Sequence, residues 1–184
     1  SKPFRKGRYQ LVTKYEGVKE VIIVKDKYGE LKSTPADLLA GKTPSILSAI
    51  DIKKYVHNML LLHNDDYKTG NFEVIEWYSG RKSPMILKDK YGLYKVHLHN
   101  LIRNCRIWIP SAINLGDNVR NRLLEVRGDE YDYSLLDGIK TVNEEKLKII
   151  CKKHGVFEQW YYHHYKEGCG CPKCGKLSAI EILK

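Results

Sequence analysis

A five-residue segment occurs twice in this chain and sets the frame for the rest. Lys25-Asp26-Lys27-Tyr28-Gly29 recurs as Lys88-Asp89-Lys90-Tyr91-Gly92, an offset of 63, and a further 63 lands on Cys151-Lys152-Lys153-His154-Gly155. The same offset relates Tyr15-Glu16-Gly17 to Tyr78-Ser79-Gly80, and Ser48-Ala49-Ile50 to Ser111-Ala112-Ile113. Self-similarity at a fixed period means one small unit used repeatedly, with each copy too small to bury a core alone. The expected fold class is therefore α+β, built as three tandem modules, 1–47, 48–110 and 111–184, that pack on one another.

Each module has a readable plan. A short aliphatic run precedes the repeated turn: Val21-Ile22-Ile23-Val24, Met85-Ile86-Leu87, and Leu147-Lys148-Ile149-Ile150. Runs of this length and composition predict strands. The glycine at 29, 92 and 155 supplies the positive φ that a tight hairpin needs. A second strand follows it, at Glu30–Lys32, Leu93–Leu98 and Val156–Tyr161, and a third lies upstream, at Tyr9–Val12, Phe72–Trp77 and Tyr131–Ser134. Helices are expected between the sheets. One runs from Ser48, as cap, to His63 with Ile52, Val56, Met59 and Leu60 inward, and one from Val119 to Val126 with Leu123, Leu124 and Val126 on its stripe. Ser178–Lys184 reads as the opening of a further helix.

The third copy differs from the others in carrying metal-type ligands. Cys151-x-x-His154 sits on the hairpin turn, and Cys171-x-x-Cys174 follows where a helix should start. Two ligands from a tight turn and two from a helix start make a closed tetrahedral site, so a structural Zn²⁺ is expected on Cys151, His154, Cys171 and Cys174. The alternative is a set of reduced, buried cysteines. Cys169 is a spare thiol and the alternative to Cys171, while Cys105 reads as a small apolar filler. Five cysteines, four of them between 151 and 174, suit a metal better than disulfides and predict a reducing, cytoplasmic setting. Subtracting 63 from the ligands gives Lys88, Tyr91, Trp108 and Ser111, which cannot hold Zn²⁺. The expectation there is that Tyr91 and Trp108 fill the metal's place with packed aromatic surface.

Three segments carry a family resemblance: Gly128-Asp129-Glu130-Tyr131-Asp132-Tyr133-Ser134, the run Leu147–Gln159, and Gly170-Cys171-Pro172-Lys173-Cys174-Gly175. Together they resemble a treble-clef zinc-finger module found in phage and prophage proteins. That module often precedes a nuclease of the very-short-patch-repair or homing type and is thought to bind DNA. The resemblance implies a treble clef over 128–175 and a role in targeting a nuclease domain or partner. Treble clefs also occur in His-Me nucleases, so His163 or His164 could serve in catalysis, yet the sequence offers neither the Asp–His pairing nor the Asn partner such a site needs. No catalytic residue is assigned. Exposure, or contact with phosphate, is the simpler expectation for both histidines.

Charge points to the partner. The formal net charge is +10, an excess that favours a polyanion, with nucleic acid ahead of an anionic membrane. It is uneven: 10 Lys/Arg against 5 Asp/Glu over 1–47, 10 against 6 over 48–110, and 12 against 11 over 111–184. The expected phosphate contacts are Lys2, Arg5, Lys6, Arg8, Arg81, Lys82, Arg103 and Arg106, with Lys2–Arg8 as a basic arm able to enter a minor groove. No apolar run approaches the ~20 residues of a membrane span, and no signal-peptide pattern opens the sequence. Double-stranded DNA binding is thus the leading function. Two alternatives stay open, a chain that itself cuts DNA and a zinc module that binds protein.

Overall fold

The computed structural model describes residues 8–175; the basic arm at Lys2, Arg5 and Lys6, and the expected helix at 178–184, lie outside them. Every strand expected from the repeat forms. They are β1 (Gln10–Leu11), β2 (Ile22–Lys25), β3 (Glu30–Ser33), β4 (Glu73–Glu76), β5 (Met85–Asp89), β6 (Gly92–Val96), β7 (Tyr131–Asp132), β8 (Leu147–Cys151) and β9 (Gly155–Gln159). They make three three-stranded sheets, ordered β1-β2-β3, β4-β5-β6 and β7-β8-β9, so the α+β class holds. In the first and third sheets the pairs are antiparallel, with Lys25 opposite Glu30 and Cys151 opposite Gly155 at the hairpin ends.

The helices are α1 (Pro35–Leu39), α2 (Ile52–His63), α3 (Asp65–Lys68), α4 (Leu98–Leu101), α5 (Leu115–Arg127) and α6 (Tyr161–Tyr165), and a further helix begins at 172. The two long ones differ from expectation at their starts. Ser48 ends a 3₁₀ turn, and the cap of α2 is Asp51, whose carboxylate accepts the Lys54 N–H. Asn114 caps α5 in the same way, through the Asp117 N–H, so that helix starts four residues before Val119. A polar side chain that satisfies an orphan N–H decides a helix start more firmly than the apolar stripe does. The stripe of α5 also differs: Val119 and Leu123 are fully buried, whereas Leu124 and Val126 are exposed. Val119 and Leu123 stand 63 residues after Val56 and Leu60, which are equally buried.

The repeat extends to backbone pairing. Leu31 bridges Ala49 and Tyr94 bridges Ala112, while the Ile50 N–H donates to Glu30 and the Ile113 N–H to Leu93. The chain forms two compact units, one running to Leu87 with Val96–Arg106, the other comprising Lys88–Lys95 and the chain from Ile107 onward. The first is centred on Ile22, Val24, Leu31, Leu38, Tyr55 and Met59. The second is centred on Val119, Leu123, Tyr131, Tyr133, Leu136, Leu147 and Ile149, with Cys151 and Cys171 at its border.

Candidate metal centre

Cys151 ends β8, opposite Gly155. Three residues separate them, and Gly155 takes φ 76°, a left-handed conformation that side chains with a Cβ avoid. The resulting knuckle turns the Lys153 and His154 N–H groups onto the Cys151 sulfur, and these hydrogen bonds pull the thiol down to about 6. Cys171 stands immediately before the helix that begins at 172, with Pro172 in its first turn, where a missing N–H costs nothing. Its own N–H donates to the Tyr131 hydroxyl at 3.2 Å. Gly170 lies against that hydroxyl so closely that a Cβ would overlap it.

These elements bring the four ligand atoms within 4.8 Å of one another. Sγ of Cys151 is 3.7 Å from His154 Nδ1 and 3.7 Å from Cys174 Sγ. His154 Nδ1 is 3.1 Å from Cys174 Sγ and 3.6 Å from Cys171 Sγ. A tetrahedron with metal–sulfur bonds of about 2.3 Å and a metal–nitrogen bond of about 2.0 Å has edges of roughly 3.8 and 3.5 Å. The four separations of 3.1 to 3.7 Å are close to those of a three-sulfur, one-nitrogen coordination shell, and the four groups could hold a metal ion. Cys151 and Cys171 are buried and Cys174 is half-buried. Burial first, and the neighbouring Cys151 and Cys171 sulfurs second, push the Cys174 thiol up to about 11, a crowding that a cation would relieve. Cys169 is exposed, with its sulfur toward Glu167 and outside the cluster.

An aromatic wall backs this centre, and its key was not expected from sequence. His164 is fully buried among the rings of Tyr131, Tyr133 and Phe157. Its Nδ1 lies 2.7 Å from the Cys169 carbonyl, which can only accept, so Nδ1 carries the proton. Nε2 then accepts from the Tyr133 hydroxyl at 3.0 Å. Burial lowers the pKa of the ring and keeps it neutral. Both nitrogens are spent on holding the loop before Cys171, so this histidine is neither exposed nor available to phosphate. The five-residue α6 explains the miss, because its turn points Tyr161 and His164 inward and leaves Tyr162 outside. His163 remains half-exposed and pairs with Glu167.

The first two hairpins fasten differently, and the aromatic substitute expected at Tyr91 and Trp108 is not what the structure contains. Trp108 is 65% exposed. The face of Tyr91 is covered by the Arg122 guanidinium, 3.8 Å from the ring centroid. At the turn, Asp89 Oδ1 accepts the Tyr91 and Gly92 N–H groups at 2.7 and 3.1 Å. Its Oδ2 accepts the Tyr94 hydroxyl at 2.9 Å and faces Arg122 Nη2 at 3.5 Å. Tyr94, fully buried, also receives Asn118 Nδ2 at 2.6 Å and Arg122 Nη2 at 2.9 Å, and Asn121 caps the Tyr91 carbonyl. The first hairpin repeats this in simpler form. Asp26 Oδ1 accepts the Tyr28 and Gly29 N–H groups, its Oδ2 accepts the Tyr55 hydroxyl at 2.7 Å, and Asn58 caps the Tyr28 carbonyl.

The role of Cys151 is thus taken by Asp26 and Asp89, since all three collect the N–H groups two and three residues on. The offset from Asp89 to Cys151 is 62 rather than 63. The change of register shows at the glycines, whose φ is 155° at Gly29 and 148° at Gly92 but 76° at Gly155.

Of the cations expected to meet phosphate, Arg8, Arg81, Lys82, Arg103 and Arg106 are exposed, while Lys2, Arg5 and Lys6 fall outside the described residues. Arg8 precedes β1, Arg81 and Lys82 lie in the β4–β5 connection, and Arg103 and Arg106 follow α4, so they occupy three separate segments of the first unit. No helix among the described residues is long and apolar enough to cross a membrane.

Residues 116–175, about a third of the chain, match a family described as a protein of unknown function, DUF723. The matched segment opens within α5 and closes just after Cys174, so it contains all four candidate ligands. No curated protein and no solved structure matches the chain.

Proposed function

We propose that this chain binds double-stranded DNA and that its third module is a treble clef closed by a structural Zn²⁺ on Cys151, His154, Cys171 and Cys174. The observation that carries the metal reading is the convergence of four ligand atoms, two from a hairpin knuckle and two at a helix start, within 4.8 Å of one another, with four of their separations at 3.1 to 3.7 Å. A thiolate-rich tetrahedral shell selects zinc among the divalent ions, and a closed shell with four protein ligands has no open position for chemistry. The site therefore holds structure together. The DNA reading rests on the net charge of +10 and on the exposure of Arg8, Arg81, Lys82, Arg103 and Arg106. The sequence resemblance adds a context, the targeting portion of a phage or mobile-element nuclease system working inside a cell.

The test measures metal content and DNA binding on the full chain. One equivalent of zinc should copurify and be lost in Cys174→Ser. A labelled 30-base-pair duplex should be bound at 50 mM salt, with affinity falling steeply toward 250 mM, and Mg²⁺ or Mn²⁺ should produce no cleavage. Absence of binding at low salt would favour a protein partner. Cleavage abolished by His163→Ala would favour a nuclease in this chain.

A further inference from the structure

The turn that carries Cys151 and His154 in the third copy lines, in the first, a cleft that holds three lysines and three carboxylates. Residues of the turn, Lys25 to Glu30, and of the start of α2, including Lys54 and Asn58, enclose a cleft of ≈ 380 Å³. A second cleft, of ≈ 430 Å³, shares Asp26, Lys27 and Tyr28 with it and adds Arg8. Lys25, Lys27 and Lys54 are exposed, and none of them forms an ion pair among the described residues. Two of the three carboxylates on the lining are hydrogen-bonded. Asp26 spends both oxygens on the Tyr28 and Gly29 N–H groups and the Tyr55 hydroxyl, and Asp51 caps α2 through the Lys54 N–H. Glu30 is the remaining acid on the rim.

The second copy is the internal control. It has the same turn and the same following helix, and two of the three lysine positions are neutralised there. Lys90, the counterpart of Lys27, is bound by Glu125, where the first copy has Leu62. The counterpart of Lys54 is Asp117, paired with Arg120 at 2.5 Å. Packing does not require lysine at position 54, since the second copy builds the same hairpin and helix with Asp117 there, while it keeps Lys88 and Lys90 in the turn. In the first copy Lys27 lies over the Tyr28 ring, 4.8 Å from its centroid, and among the described residues no carboxylate pairs with any of the three lysines.

We propose that this cleft, with Lys25, Lys27 and Lys54 on its rim, seats the phosphodiester backbone of duplex DNA. The inference rests on the DNA-binding reading above and adds a location to it, with three lysines that sequence reasoning did not single out. Each phosphate contact steepens the salt dependence of binding by about 0.9 in log–log slope. In the full chain, Lys25→Gln/Lys27→Gln/Lys54→Gln should lower that slope by about 2.7 and weaken binding at 100 mM salt by at least about tenfold. A charge-matched control, Lys95→Gln/Lys140→Gln/Lys148→Gln, should change the slope by less than about 1. Circular dichroism and zinc content identical to the parent chain confirm that both variants fold.

If the parent binds duplex DNA and both variants lose affinity equally, or neither does, the location is wrong and the DNA reading stands. If the parent binds no duplex, or binds only phosphatidylserine vesicles, both are wrong.

Discussion

The second and third hairpins of this chain have the same backbone task and meet it with different chemistry. Each must tie a β-turn to a neighbouring helix. In the second, Asp89 gathers two turn N–H groups, the Tyr94 hydroxyl and the Arg122 guanidinium, so the fastening is a buried, mutually satisfied polar network. In the third, Cys151 gathers two turn N–H groups and faces His154, Cys171 and Cys174, so the fastening is a ligand cluster that could hold a metal ion. A network of side chains is preassembled by folding and depends on no external component. A metal shell concentrates far more free energy in one place, but it is present only while the ion is. The first hairpin is a lighter version of the second, because Met59 stands where the second copy has Arg122.

The largest effect should come from metal removal. Structural Zn²⁺ contributes apparent binding free energies on the order of 10 kcal/mol in small domains. Chelation should therefore abolish amide protection in β8 and β9 while β2 and β3 keep theirs, as read by hydrogen exchange. Loss of protection throughout the chain would break the comparison, since it would mean that the polar fastenings are not independent of the metal. Asp89→Ala comes next. It strips the turn of its acceptor and leaves the Arg122 guanidinium without a counter-charge, at a cost of about 3–5 kcal/mol in denaturant unfolding. The double variant Asp89→Ala/Arg122→Met should recover part of that loss. Asp26→Ala should cost less, about 1–3 kcal/mol, because no buried cation is stranded. Equal losses at the two aspartates would show that Arg122 contributes little. Trp108→Ala should be within about 0.5 kcal/mol of the parent, as expected for an exposed side chain, and a larger loss would revive the idea that an aromatic fills the metal's place.

Much of this architecture was legible in the sequence. Gly29, Gly92 and Gly155 placed all three hairpins, and Val56, Met59 and Leu60 gave the inward face of α2, whereas the stripe read for α5 was right at Leu123 and wrong at Leu124 and Val126. The four candidate ligands were legible because short chelate spacings leave few other uses for such residues. The register of the third turn was not. Aligning glycine with glycine set Cys151 beneath Lys25 and Lys88, and so hid its correspondence with Asp26 and Asp89. A thiolate and a carboxylate share no sequence identity, yet both are small anionic acceptors, and turns select for that property. His164 was hidden for another reason, since a five-residue helix is too short to show a periodic pattern. The helix cap Asp51 was masked by Ser48, which ends a 3₁₀ turn, and Asn114 was missed because the apolar stripe suggested a start at Val119.

Helix α5 has two working faces within its unit. Asn118, Asn121 and Arg122 serve the tip of the hairpin before it, and Val119 and Leu123 enter the core of the sheet after it. A repeat boundary drawn at 111 therefore cuts between a helix and one of its two partners. A fragment beginning there would retain every metal ligand, yet its first helix would turn a guanidinium and two amides toward water in place of Asp89, Tyr94 and the Tyr91 carbonyl. Such a fragment would bind its ion and still fray at the opposite end, whereas one beginning before Lys88 would bring its own closure. The interchangeable part of this chain is thus the span from one turn to the end of the next helix, out of phase with the period visible in the letters.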